Sequence, residues 1–149
     1  MDLSVRRGAV RKPSDSFADM GGAVARVSSI VYDCPDPAAL AQFYQELLGY
    51  RRHHADDDWV TIADPDGGQR LSFQRIDNYQ APTWPAGRRP QQLHLDLLVD
   101  DLAAAHDRVL AAGASPLAGV VVHSDETYQV YADPAGHPFC LIERTADAD

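Results

Sequence analysis

Apolar and polar positions change period along this chain, and the same change occurs twice. The run Ile30-Val31-Tyr32 leads into Asp33-Cys34-Pro35-Asp36-Pro37, and beyond it Leu40, Phe43, Tyr44, Leu47 and Leu48 recur at helical spacing until Gly49. A period near two that gives way to one near 3.6 predicts a strand followed by an amphipathic helix. Asp36 suits the N-cap, because its carboxylate can accept a bond from an early helical N–H. Pro37 suits the first helical position, and Gly49 a left-handed stop.

The second half repeats this order. His94-Leu95-Asp96-Leu97-Leu98-Val99 reads as a strand and Asp101 as a cap; Leu102, Ala105, Val109 and Leu110 form the helical stripe, and Gly113 ends it. Each half then reaches a similar turn, Asp64-Pro65-Asp66-Gly67 and Asp133-Pro134-Ala135-Gly136, and leads into a last strand, Arg70 to Arg75 and Pro138 to Glu143. Proline presets φ for a tight turn, and glycine supplies positive φ. The repeat predicts an α+β fold of two tandem βαβββ modules, residues 24–78 and 91–145, within one domain spanning residues 24–145. Together they should form a curved, mixed and mostly antiparallel eight-stranded sheet, with helices on the outer face and a cleft inside. Residues 77–91, with Pro82, Trp84, Pro85 and Pro90, suit an extended linker across the cleft mouth. Residues 1–23 read as a flexible arm without the apolar core of a secretory signal.

Composition narrows the function classes. The chain has 149 residues, 45% of them hydrophobic, which is enough for one globular core without disulfide staples. The formal net charge of −9 argues against nucleic acid and against an anionic membrane surface, both of which need a basic footprint. Two separated cysteines, Cys34 and Cys140, suit free thiols in a reducing cytoplasm.

The run Asp33-Cys34-Pro35-Asp36-Pro37, the helix end Phe43-Tyr44-x-x-Leu47-Leu48-Gly49 and the paired Asp-Pro-x-Gly turns resemble the vicinal oxygen chelate superfamily, which includes glyoxalases, bleomycin-resistance proteins and extradiol dioxygenases. The segments Pro82-Thr83-Trp84-Pro85, Pro90 to Asp96 and Asp133 to Cys140 resemble its glyoxalase-like branch more narrowly. The resemblance covers Val24 to about Arg144. It implies a divalent metal held by one ligand from each of four cleft strands in members with an intact site, and no metal in drug-sequestering members. It also implies a homodimer.

The resemblance places the ligand positions at Ser29, Gln74, His94 and Cys140. His94 stands where the superfamily has a histidine, but Ser29 replaces the usual His or Gln, and Cys140 replaces the closing glutamate. A set without carboxylates lacks the charge and hardness for magnesium, manganese or iron(II), so no metal is expected. If one binds, zinc on His94, Cys140 and Gln74 suits the thiol and imidazole best. Strand alternation sends His94 and Asp96 into the cleft together, with Cα atoms about 7 Å apart. There Asp96 could orient His94 as a general base. Trp84 and Tyr131 could wall a pocket for a flat or apolar molecule, with Gln91 and Gln92 hydrogen-bonding it.

Two functions stay open. One is a cleft that binds a small organic molecule for sequestration, resistance or carriage, with a degenerate metal site. The other is a lyase, isomerase or hydrolase that uses His94 with Asp96 as acid and base, with or without a divalent metal. A true glyoxalase I is disfavoured, because its chemistry needs a full metal set to polarise the substrate carbonyl, while lyase and dioxygenase remain among the related activities.

Overall fold

The computed structural model describes residues 25–145; the expected arm lies outside them. Two modules follow the expected order. The first comprises β1 (Ile30–Cys34), α1 (Pro37–Leu48), β2 (Arg51–Ala55), β3 (Trp59–Ala63) and β4 (Arg70–Arg75). The second comprises β5 (Leu95–Leu98), α2 (Leu102–Ala112), β6 (Ser115–Pro116), β7 (Val121–Val122), β8 (Glu126–Ala132) and β9 (Pro138–Arg144). Strand order is β1-β4-β3-β2 in one sheet and β5-β9-β8-β6 in the other, with β7 also on β8. β1 runs parallel to β4 and β5 parallel to β9, while the remaining pairs are antiparallel. In place of one eight-stranded sheet, strand pairing stays within each module, and the outer strand of the second module is split. Ser115 and Pro116 pair with Ala132 and Tyr131, Leu117 N still donates to Val130 O at 2.9 Å, and the ladder resumes at Val121.

Local chemistry explains the helices. Asp36 Oδ1 accepts from Ala39 N at 3.0 Å, and Asp101 Oδ1 from Ala104 N at 2.9 Å. The glycines that end them, Gly49 and Gly113, take φ of 69° and 113°. α2 has a further anchor, because Glu143 Oε2 on β9 accepts from Leu102 N at 2.7 Å. The carboxylate meets the positive end of the helix and ties it to its sheet.

Both modules share one aromatic core. Tyr44 stacks on Phe73 of its own sheet at 5.7 Å, while Phe43 meets Phe139 of the other module edge-on at 5.9 Å. Phe139 in turn stacks on Tyr131 at 5.6 Å. Leu40, Val60, Ile62, Leu71 and Leu141 complete the buried cluster. Along β3 and β4 the core takes Val60, Ile62, Leu71 and Phe73, so alternation turns Trp59, Thr61, Ser72 and Gln74 to the opposite, open face.

Candidate functional site: the seam cleft and the open sheet faces

A buried polar cluster joins the modules. Asp133, whose side chain is fully buried, receives Tyr44 Oη at 2.9 Å from α1 and His137 Nδ1 at 2.9 Å across its own turn. The Ala135 and His137 amides also donate to its Oδ1. His137 Nε2 lies 2.9 Å from the carbonyl of Asp33 on β1 and 3.1 Å from Tyr79 Oη in the linker, and Tyr79 donates to Ala135 O at 3.0 Å. One imidazole thus holds β1, the linker and the second Asp-Pro-x-Gly turn together. The sequence signal for this is the aspartate four residues before a histidine across a turn. Burial raises the pKa of the Tyr32, Tyr44 and Tyr79 hydroxyls, with the negative charge of Asp133 adding to it; Tyr79 reaches about 12.

Beside this cluster, between β1 and the linker, lies a cleft of about 330 Å³. Its walls are apolar at Ile30, Val31, Pro82 and Leu93, and polar at Asp33, Arg89, Gln91, Gln92 and His137. The Gln91 Oε1 is buried and has no hydrogen-bond partner. An amide oxygen withdrawn from water without a donor costs about 1–3 kcal/mol. Gln92 spends its own amide on the Pro90 carbonyl, at 3.1 Å.

The open face of the first sheet is polar but closed on itself. Ser29 Oγ lies 2.7 Å from Ser72 Oγ, Ser72 Oγ lies 2.9 Å from Thr61 Oγ1, and Trp59 Nε1 donates to Thr61 at 2.9 Å. Ser29 also reaches the carbonyls of Ile30 and Arg70. The open face of the second sheet carries His94, Asp96 and Cys140. β5 pairs Asp96 directly with Cys140 on β9, and His94 stands two residues earlier on the same face. His94 Nε2 lies 3.4 Å from Asp96 Oδ1. The Cys140 thiol pKa is pushed up to about 11 by burial, and further by the charge and hydrogen bond of Asp96.

The residues expected to form one site therefore fall in several places. His94, Asp96 and Cys140 are together; Ser29 belongs to the hydroxyl ladder; Gln74 lies on β4 opposite Asp33 and Trp59. Of the expected ligand contacts, Gln92 lines the cleft, and Ser29, Gln74, Trp84, His94, Tyr131 and Cys140 do not. Tyr131 is corrected outright. Alternation on β8 turns it to the helix side with Phe139, fully buried, where its hydroxyl donates to Gln129 Oε1 at 2.8 Å and meets His106 Nδ1 at 2.9 Å. His106 is accordingly half-buried. Trp84 is half-buried in the linker, and its neighbour Pro82 takes the place expected of the indole.

The four-strand metal set implied by the resemblance does not fit these residues. The Ser29 hydroxyl is engaged by Ser72 and two carbonyls, a neutral serine oxygen is a poor donor to a dication, and the four positions contain no carboxylate. No step is derived through such an ion.

Comparison with known proteins bears on the whole of this arrangement. A family model described as "Glyoxalase-like domain" matches residues 29–142. No curated protein matches the chain. Among solved structures, the chain is similar to a glyoxalase/bleomycin resistance protein/dioxygenase family enzyme from Burkholderia phytofirmans PsJN, with a TM-score of 0.64 and 15% identity over 81% of this chain and 100% of that one. It is similar to a glyoxalase-related enzyme from Fulvimarina pelagi, with a TM-score of 0.61 and 23% identity over 83% and 95% of the two chains. A genomically encoded fosfomycin resistance protein from Listeria monocytogenes gives a TM-score of 0.64 and 14% identity over 85% and 98%. At these identities the likeness is one of fold.

Proposed function

Because the chain belongs to the glyoxalase-like domain family, we propose that it binds a small organic molecule in the seam cleft, in a sequestering, resistance or carrier role. The observation that carries this is the Gln91 side chain. Its amide oxygen is buried without a donor where it lies, and turning the side chain into the cleft that Gln91 lines brings it to a ligand N–H or O–H. The apolar walls take the body of such a molecule, and the cleft volume lies at the small end of the range for ligand pockets. Arg89 on the same wall favours a ligand with an acidic end.

The test is a screen of small organic molecules by thermal shift, with native mass spectrometry of whatever co-purifies. Gln91→Leu should weaken a bound ligand about tenfold, the equivalent of one hydrogen bond of about 1.4 kcal/mol. It should leave the free protein at least as stable, because it removes an orphaned acceptor. A ligand held equally well by the leucine variant would refute the role given to Gln91.

A second reading, a lyase, isomerase or hydrolase, is favoured by the His94–Asp96 contact of 3.4 Å. A carboxylate there orients the ring for proton transfer. Under this reading the substrate binds on the open face of the second sheet, where His94 stands, and His94→Gln abolishes its conversion to product.

We further propose a homodimer in the cytoplasm. Among the described residues β1 and β5 each have one edge without a strand partner, and Leu98 on β5 is 64% exposed. Among the described residues no helix is long and apolar enough to cross a membrane. Light scattering at roughly tens of micromolar, where mass action favours association, should return twice the chain mass.

A further inference from the structure

The helix side of the molecule holds a second cavity, which the seam-cleft reading does not use. It lies between the C-terminal end of α1, one face of α2 and the strands β5 and β9, with a volume of about 370 Å³. Val109 and Leu141 are buried at its base, while Leu47, Leu97 and Ala105 line it half-buried. Folding therefore leaves part of their apolar surface in contact with water, and a ligand that covers it gains by displacing that water.

The sequence of α2 sets the shape and charge of this cavity. Ala105, Arg108, Val109 and Ala112 recur at i, i+3, i+4 and i+7, so they share the helix face that lines it. Val109 fills part of the space, and the short side chains of Ala105 and Ala112 leave the rest open. Arg108 is exposed at the rim and has no hydrogen-bond or ion-pair partner among the described residues. The acidic residue on the other rim, Glu46 of α1, is turned along its own helix, where it accepts from Gln42 Nε2 at 3.1 Å.

An apolar cavity beside an uncommitted guanidinium selects a ligand built the same way, with an aliphatic body and an anionic head. Each methylene buried in it should tighten binding about fourfold. A carboxylate head accepts two parallel N–H bonds from the planar guanidinium, which a neutral hydroxyl head cannot do. An ammonium head would meet the like charge of Arg108.

We propose that this helix-side cavity binds a medium-chain aliphatic carboxylate, with Arg108 holding its head group. The site is separate from the seam cleft, because the two cavities share no lining residue.

The experiment uses the full chain with octanoate as the probe and octanol as its neutral counterpart. Titration calorimetry should give one equivalent of octanoate, bound about fourfold more tightly than heptanoate and about tenfold more tightly than octanol. Methyl resonances of Leu47, Leu97 and Ala105 should shift during the titration, and those of Ile30, Val31 and Leu93 in the seam cleft should stay in place. Arg108→Gln, an exposed substitution, should lower octanoate to the affinity of octanol and leave the melting temperature of the free protein unchanged. Ala112→Leu fills the cavity and should abolish binding of both probes, with circular dichroism to check its fold. Shifts confined to the seam-cleft methyls, equal affinity for octanoate and octanol, or full octanoate affinity in Arg108→Gln would each overturn the proposal. Octanoate that splits a dimer into monomers would overturn it as well, because the cavity would then be a contact between two copies of the chain.

Discussion

The open faces of the two sheets occupy equivalent places in equivalent modules, yet they do opposite things with their polar groups. On the first, Ser29, Ser72, Thr61 and Trp59 satisfy one another, and Ser72 and Thr61 are buried. On the second, His94 and Asp96 are exposed and keep capacity for further partners. A polar face that consumes its own donors and acceptors is structural, because a ligand would have to break bonds already made. A face that leaves them open can bind. The repeat thus built one scaffold twice and left exposed polar groups open on only one copy. The seam between the copies, with Asp133 and His137 at its centre, makes them a single folding unit.

The largest effect should come from alkali, acting on that seam. The pKa values of Tyr32, Tyr44 and Tyr79 are raised by burial above the ordinary tyrosine value of 10.0, so folding stability is whole below that pH and is lost as pH rises through the folded-state values, about 12 for Tyr79. Phenolate absorbance should rise together with loss of near-ultraviolet dichroism; independent titration of the tyrosines in a folded protein would separate them from the seam. Asp133→Ala should come next. It leaves Tyr44 and His137 without their shared acceptor, a loss of about 3 kcal/mol by denaturant melts.

Within the comparison itself, Ser72→Ala removes the centre of the hydroxyl ladder. It should destabilise the protein by about 1–3 kcal/mol, because Ser29 and Thr61 lose a partner in a buried setting. His94→Gln should fall within about 0.5 kcal/mol of the parent, as exposed substitutions usually do. Equal costs at the two sites would erase the distinction between a closed face and an open one.

Much of the fold was legible because it rests on local rules. The caps at Asp36 and Asp101, the stops at Gly49 and Gly113 and both Asp-Pro-x-Gly turns follow from residues a few positions apart. The site was less legible. His94 and Asp96 could be paired by alternation on one strand, but the approach of Cys140 depended on the register between β5 and β9. Tyr131 was assigned to the wrong face, because the apolar-polar alternation of Thr127-Tyr128-Gln129-Val130-Tyr131 is ambiguous until one side meets a helix. Gln91 is legible in the sequence as a hydrogen-bonding residue of the pocket, but that its amide oxygen has no donor emerges only once its surroundings are packed.

The sequence by itself determined the two βαβββ modules, their helix ends, their turns and the shared apolar core, since propensity, capping and hydrophobic period act over short spans of chain. The tertiary structure decided which of two similar polar faces closed on itself, where the modules locked at Asp133 and His137, and which three donors met. Those outcomes depend on strand register and on contacts up to 104 residues apart, as between Asp33 and His137. No local pattern carries that information, because each partner's chemistry is complete only when the other is folded against it.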